Sequence, residues 1–435
     1  MKVIDSIVPV KWGNYFLLIN TLNGAMIKVN QEEFDYIKKQ QKSFFEDENG
    51  SSVLLELKRL GFVVQSDDEE HRMKDELIKK VMLSQATKNS AIIVLTYSCN
   101  FSCPYCYEGA NENKLLKVIS KSQIDRIMDI CNDRTDCFTL FGGEPLLPET
   151  RDIIEYIGTR YPDKTYSIVS NGYYLEEFLP LLCKLKIGYI QITVDGNQEN
   201  HNQTRILKGG APTYNKIMSG IGKALKNGLR IKVRMNLTIQ NYRSCIEVRD
   251  LLKEKYREYK EFLFFELSPL FQIDGSDFDR LTEAVYEDIY ASSRKGDREN
   301  YHVLTDLPIV NYVIGKEKFY PIVKHCIAHG ENLIFDSEGD IYSCIIGVGN
   351  KKTVIGTYYP KYNMYKKSIY TRSISKIQAC KNCNKALICG GGCPLELALH
   401  GKDIYQPNCK KMKYTQEKLL PYLLENNEQD LQNGY

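Results

Sequence analysis

Ten of the fourteen cysteines in this chain fall into two groups. Cys99, Cys103 and Cys106 lie on the stretch "CNFSCPYC", directly after the apolar run "AIIVL". Cys326, Cys344, Cys380, Cys383, Cys389, Cys393 and Cys409 make up the second group. Thiolates bind soft metals and iron–sulfur clusters, and a four-iron cluster normally takes four of them. Three thiolates on one tight loop leave one iron open, and an open iron beside a redox centre can bind and reduce a small molecule. Zinc is the competing reading, but it usually draws on paired CxxC or Cys/His knuckles. Disulfides suit an oxidising compartment, and the cysteine usage of an apparently cytoplasmic chain points to metal ligation instead. The four isolated cysteines, Cys131, Cys137, Cys183 and Cys245, read as small buried hydrophobes.

Composition excludes several classes. With 58 basic and 55 acidic residues the net charge is only +3, which gives no reason to propose nucleic acid or an acidic membrane as partner. No stretch approaches 18 apolar residues, and the start "MKVIDSIVPVKWGNY" lacks a signal-peptide core, so a cytoplasmic protein without a membrane span is expected.

The elements that must carry the thiols follow from periodicity. Residues 1–65 read as a winged-helix-like module or as a cap on the main domain. "YFLLIN" and "AMIKVN" flank a hairpin turn at Asn23-Gly24, Asn30 caps a helix starting at Gln31, a second helix fits 51–60, and "FVV" returns as a strand. Residues 66–90 are charged and read as a linker helix with little core of its own. From 91 to about 275, six apolar runs ("AIIVLT", "FTLFGG", "TYSIVSNG", "YIQITVDG", "IKVRMNLT", "FLFFELSPL") alternate with amphipathic helices. This pattern predicts an α/β fold, a partial (β/α)6 TIM-type barrel with a parallel sheet and its ligands at the carboxyl ends of the strands. The cysteine loop, "GGEP", "SNG" and "VDG" all sit at those ends. A helix-bearing bridging region, 276–325, leads to a cysteine-rich domain over 326–412 of the kind that needs metal staples to fold, and 413–435 reads as a carboxy-terminal helix and tail. The run "CGGGCP" lacks the GK[ST] of a phosphate loop, and its glycines suit tight packing around a metal centre. His325, His329 and His400 lie near these cysteines and read as solvent-facing.

With these motifs in place, the chain resembles the radical S-adenosylmethionine (radical SAM) enzymes. The resemblance implies that Cys99, Cys103 and Cys106 hold a 4Fe-4S cluster whose open iron is chelated by SAM. It implies that Gly142, Gly143 and Glu144 of "GGEP" meet the SAM ammonium, that Ser170 and Asn171 meet the ribose, and that Tyr105 lies against the adenine. Thr193 and Arg205 resemble residues that meet the SAM carboxylate. The later cysteines resemble a SPASM domain. By that resemblance Cys326, Cys344 and Cys393 bind one auxiliary 4Fe-4S cluster with no evident fourth ligand, and Cys380, Cys383, Cys389 and Cys409 bind another, three clusters in all.

SPASM enzymes act on polypeptides, and two subgroups compare. Anaerobic sulfatase maturases resemble the barrel and SPASM regions, but they typically place a basic aspartate after the second SPASM cysteine, where this chain has Ile345 and Ile346. Maturases of ribosomal peptides (RiPPs) commonly begin with a winged-helix element that binds a leader. The resemblance therefore implies a leader-bearing ribosomal precursor peptide as substrate, an intramolecular thioether or carbon–carbon crosslink as product, and flavodoxin or ferredoxin as electron donor. Sulfatase-maturase-like oxidation and a small-molecule radical SAM reaction are the alternatives. No catalytic side chain is assigned.

Overall fold

The computed structural model describes residues 1–41, 52–84, 90–108, 116–131, 135–270, 281, 307–313, 317–326, 332–365 and 369–426. The chain packs as two compact units, each discontinuous in sequence. One gathers 1–87, 305–329 and 368–435; the other gathers 88–304 and 330–367. Packing thus groups the chain differently from a division into consecutive segments: the amino-terminal residues share a core with most of the later cysteines, while Cys344 belongs with the barrel.

In the first unit, β1 (Lys2–Val3) is followed by a three-stranded antiparallel meander, β2 (Ile7–Trp12), β3 (Tyr15–Asn20) and β4 (Met26–Asn30). Between β3 and β4, Asn23 Oδ1 accepts from Ala25 N at 2.8 Å and Gly24 takes a φ of 83°, a turn chemistry written in the Asn-Gly pair. Helix α1 (Gln31–Gln40) starts on a capping box: Asn30 Oδ1 accepts from Glu33 N at 2.9 Å, and the Glu33 carboxylate accepts from Asn30 N at 2.8 Å. Phe34 and Ile37 of α1, with Leu54 and Leu57 of α2 (Ser52–Arg59), face the core. Strand β5 (Val63–Val64) then pairs antiparallel with β1.

Helix α3 (Asp67–Ser84) departs from its reading as a linker. Glu70 is buried and accepts from the Asp5 and Ser6 amides at 2.9 and 2.8 Å and from Ser6 Oγ at 2.7 Å. Lys74, also buried, donates to the carbonyls of Lys381 at 2.7 Å and Cys383 at 3.1 Å. The charged side chains are docked by partners remote in sequence, which periodicity does not reveal.

The second unit is built on a ten-stranded sheet. Its first six strands are β6 (Ser90–Thr96), β7 (Cys137–Gly142), β8 (Thr165–Ser170), β9 (Ile187–Thr193), β10 (Ile231–Leu237) and β11 (Leu263–Pro269). They pair in sequence order and all in parallel. Between them run α4 (Lys121–Cys131), α5 (Arg151–Arg160), α6 (Leu175–Leu182), α7 (Gln198–Thr204), α8 (Tyr214–Lys226) and α9 (Tyr242–Lys255). This is the mostly parallel sheet of a partial barrel. Strand residues such as Ile93, Leu140, Ile168, Ile190 and Val233 are fully buried, as are helix residues such as Ile127, Ile154, Leu182, Ile221 and Leu252.

The sheet continues beyond the six expected strands. β12 (Asn332–Phe335) adds in parallel to β6, and β13 (Asp340–Tyr342), β14 (Gly356–Thr357) and β15 (Asn363–Met364) follow antiparallel. These short strands lack the length for a clear period. The expected helix within 276–295 lies outside the described residues, apart from Leu281. Cys131 and Cys245 are buried as expected, but Cys137 and Cys183 are exposed, at the first residue of β7 and just after α6. No helix among the described residues is long and apolar enough to cross a membrane.

Candidate functional site

The carboxyl ends of β6 to β10 converge on the first cysteine loop. Gly143 N donates to Thr96 O at 3.0 Å and Glu144 N to Ser98 O at 2.9 Å, so the "GGEP" backbone lies against the chain that leads into Cys99. This approach explains both glycines. A Cβ on Gly142, whose φ is 146°, would sit 2.2 Å from Thr96 O, and one on Gly143 would sit 2.4 Å from Ser98 O.

Glu144 is buried at the base of the site. Its Oε1 accepts from Ser170 Oγ at 2.8 Å and Leu146 N at 2.7 Å, and its Oε2 accepts from Asn171 N at 2.7 Å. Burial raises its pKa, while these three donors and the nearby Arg205 pull it back. The Ser170 hydroxyl also accepts from Gly172 N at 2.9 Å. Asn171 reaches the cysteine loop, donating from Nδ2 to Asn100 Oδ1 at 2.7 Å and approaching Cys99 Sγ at 4.0 Å. Cys99 Sγ also accepts from Phe101 N at 3.3 Å.

A second network supports the far side of the loop. Tyr105 Oη donates to the buried Asp195 carboxylate and receives Arg205 Nη1 at 3.2 Å and Asn236 Nδ2 at 3.4 Å. Asp195 further accepts from Asn236 N at 3.1 Å and Thr204 Oγ1 at 3.4 Å, and its own amide donates to His201 Nδ1 at 3.3 Å. Thr193 sits at the end of β9, in register with Arg234 of β10. Arg205 stacks over Phe101 at 5.5 Å, and its buried Nε has no hydrogen-bond partner. Burial would lower the guanidinium pKa, but Tyr105, Cys103 and Asp195 around it raise it overall. A fixed positive charge therefore lies beside the loop. Asp195, Asn236, Asn100 and His201 were not singled out in the sequence; Asp195 stands two residues from Thr193 in the quoted "TVDG", and its position at a strand end is the signal that marks it.

Three thiols, an amide donor on Cys99 Sγ and a buried cation near Cys103 are a donor set suited to an anionic iron–sulfur cluster. Burial pushes the Cys99 thiol up to about 12 and raises Cys103, so ionisation of these thiols calls for a metal counter-charge.

In the first unit, the cysteines from 380 to 409 are drawn together by the glycine run. Gly390, Gly391 and Gly392 all have positive φ, at 63°, 82° and 74°. A Cβ would meet Lys324 and His325 backbone at 2.5 Å from Gly390, and Asn408 O at 1.8 Å from Gly392. Cys380 and Cys389 each lie within electrostatic reach of the other and of Cys383 and Cys409; burial pushes Cys380 up to about 11 and Cys389 up to about 12. Cys326 and Cys393 neighbour the buried Arg372, together with Cys380 and Cys389. No three cysteine sulfurs among the described residues lie mutually within 4.8 Å. Cys344 belongs to the barrel unit, at the end of the β13 turn, where Tyr107 is within electrostatic reach of both Cys344 and Cys106.

One histidine reading changes. His325 is buried, with Nδ1 3.1 Å from Cys389 O, because the Gly390 turn passes directly over it; His400 is exposed as expected. His329 lies outside the described residues.

A partial barrel with a three-cysteine loop at its carboxyl rim defines the class. Residues 93–253 match the Radical SAM superfamily, and the chain carries a radical SAM domain. Members of this superfamily are enzymes that use SAM and a 4Fe-4S cluster. Over 333 residues the chain is 23% identical to a cysteine-type anaerobic sulfatase-maturating enzyme of Clostridium novyi (strain NT), covering 68% of this chain and 85% of the relative. Its fold is similar to native anSMEcpe with bound AdoMet, with a TM-score of 0.59 at 18% identity, over 78% of this chain and 99% of that one. It is also similar to Streptococcus suis SuiB bound to precursor peptide SuiA, with a TM-score of 0.55 at 16% identity, over 94% of this chain and 98% of that one.

Proposed function

We propose that this enzyme is a peptide maturase that cleaves SAM reductively and installs an intramolecular thioether or carbon–carbon crosslink in a leader-bearing ribosomal precursor peptide. The observation that carries this reading is the joining of the Cys99–Cys106 loop to Glu144, Ser170 and Asn171 by backbone and side-chain hydrogen bonds. On this reading Cys99, Cys103 and Cys106 hold a 4Fe-4S cluster, which when bound supplies the electron that breaks the SAM sulfonium to give a 5′-deoxyadenosyl radical. Glu144 keeps an acceptor for the SAM ammonium, and Arg205 offers its unpartnered Nε to the carboxylate. The Ser170 hydroxyl is engaged by Glu144 and Gly172, and the Asn171 side chain by Asn100 Oδ1 and Tyr173 N; the two residues together are read as the ribose pair. Gly142 and Gly143 let the backbone approach, Tyr105 closes the adenine side, and Thr193 lines the rim.

The later cysteines are read as two auxiliary 4Fe-4S sites: Cys326, Cys344 and Cys393 for one, and Cys380, Cys383, Cys389 and Cys409 for the other. The supporting observation is the mutual proximity of the latter four. Residues 1–65 are read as the leader-binding element. An extended leader adds to an exposed sheet edge. On the β2 side, Gln416 Nε2 donates to Pro9 O at 2.7 Å and covers that edge, which favours β4. A cytoplasmic enzyme reduced by flavodoxin or ferredoxin fits this chemistry.

Oxidation of a protein side chain, as the sulfatase-maturase likeness suggests, is the second reading. Against it, Ile345 follows Cys344 and packs in an apolar cluster with Val94, Tyr97 and Val348, where the base expected of that subgroup is absent. The test is incubation of the reduced enzyme with SAM and the peptide encoded beside its gene. A crosslink gives a loss of two hydrogens, no carbonyl reactive with hydrazine, and missing fragment ions between the joined residues. A hydrazine-reactive product supports the second reading, and unchanged peptide mass despite SAM cleavage overturns both.

A further inference from the structure

Arg372 is one of the largest side chains with no solvent exposure. Its guanidinium donates to the carbonyls of Gly391 at 2.7 Å, Gly392 at 2.8 Å and Gln406 at 2.9 Å, and to that of Ile404. All its hydrogen-bond acceptors among the described residues are backbone oxygens; none is a carboxylate. A guanidinium is always charged in a protein, and burying an uncompensated charge is costly. Carbonyl dipoles offset part of this. Among the described residues, the groups within electrostatic reach that become anionic as metal ligands include Cys380, Cys393, Cys389 and Cys326. They come from both cysteine sets.

On the reading that these cysteines hold iron–sulfur clusters, we propose that Arg372 is the shared counter-charge of the two auxiliary sites, holding their reduction potentials up. A cluster becomes more negative by one charge when it accepts an electron, so a fixed cation nearby favours the reduced form. Low local polarity strengthens the effect. The residue must also be arginine for structural reasons: only a planar fork reaches carbonyls on 391–392, 404 and 406 at once. Arg372 is thus a positioning and tuning residue, and it contacts no peptide in this scheme.

The test uses reconstituted protein carrying Cys99→Ala, Cys103→Ala and Cys106→Ala, so that only the auxiliary sites are seen. Arg372→Gln and Arg372→Lys are compared with the unsubstituted parent by iron and sulfide content, melting temperature and EPR-monitored redox titration. Arg372→Gln should keep its iron and titrate lower by at least a tenfold change in the oxidised-to-reduced ratio, about 59 mV for one electron. Arg372→Lys should keep the parental potentials and melt lower, because the charge stays and the fork is lost. Parental potentials in an iron-replete Arg372→Gln, or an equal shift in Arg372→Lys, overturn the assignment. Should Arg372→Gln fail to hold iron, the neutral Arg372→Met is titrated in its place: potentials lowered by the same margin support the assignment, and parental potentials overturn it. A parent that binds no iron overturns the cluster reading itself, and Arg372's role with it.

Discussion

Ser170 Oγ lies 2.8 Å from Glu144 Oε1, and this bond ties the end of β8 to the loop after β7 beneath the cysteine motif. The carboxylate takes three protein donors in a buried setting, so each one matters to its charge. Replacing Glu144 by Gln turns one acceptor into an NH2 group, which faces either the Asn171 amide or the Ser170 and Leu146 donors. We expect Glu144→Gln to lose about 1–3 kcal/mol of stability from unsatisfied buried donors and to weaken SAM binding. Ser170→Ala should cost about 1 kcal/mol and leave SAM affinity within a few-fold. Thermal melts and equilibrium binding of SAM by the reconstituted protein check both. Tight SAM binding by Glu144→Gln would remove this carboxylate from the ammonium site.

Asp195 governs the opposite side of the loop through Tyr105. In Asp195→Asn the amide cannot accept from all of Tyr105, Asn236 and Thr204 as the carboxylate does. The Tyr105 ring should loosen against its cluster loop. The expected outcome is a fall of tenfold or more in 5′-deoxyadenosine formation with an altered EPR signal from the SAM-bound cluster. Iron content should remain at the parental level. Tyr105→Phe should reproduce part of the effect. An unchanged EPR signal in both variants removes Tyr105 from the neighbourhood of that cluster.

The barrel was legible because its strands are long, apolar and separated by amphipathic helices. Ile93, Leu140, Ile168, Ile190 and Val233 are the buried residues that such runs announce. The "GGEP" motif was legible too, and the structure adds the reason, since Thr96 O and Ser98 O leave no room for a Cβ. What sequence could not supply were polar groups whose partners are remote in the chain. Lys74 looks like a solvated helix residue until its carbonyl partners more than 300 residues away are seen. Arg372 and His325 are similar, because neither carries a local period. β12 was missed because four residues in a cysteine-rich region carry no distinguishable pattern.

That packing changes how the amino-terminal region should be tested. Val3, Leu18, Phe34, Leu57 and Phe62 share one hydrophobic cluster with Val323, Ile374, Ile377, Cys380 and Leu387. Thr21 Oγ1 donates to Asn384 O at 3.0 Å and Asn384 Nδ2 to Ile7 O at 2.7 Å. Deleting residues 1–65 should therefore expose the core behind Cys380 and Cys383 and lower iron content, besides any loss of peptide binding. Iron analysis of the truncated protein checks this. Full iron retention would show that the cysteine region folds without its amino-terminal partner, and the deletion would then serve as a clean test of leader binding.

Acid sensitivity should arise in part from His201. Its ring is fully buried, stacks edge-on to Tyr214 at 5.5 Å, and burial followed by repulsion from Arg205 lowers its pKa from 6.5 to about 3. The unfolded chain therefore binds a proton that the folded chain refuses between those values. Stability from this group is fully present above about pH 6.5 and falls as the pH drops toward 3, by roughly 2 kcal/mol at pH 5. His201→Asn replaces Nδ1 with an oxygen that can accept from the Asp195 amide but cannot be protonated in this range. The variant should lose some packing at pH 8 yet show a flatter decline between pH 7 and pH 5 than the parent. Denaturant melts of the two proteins at matched pH check it, and parallel declines would mean that another group sets the acid limb.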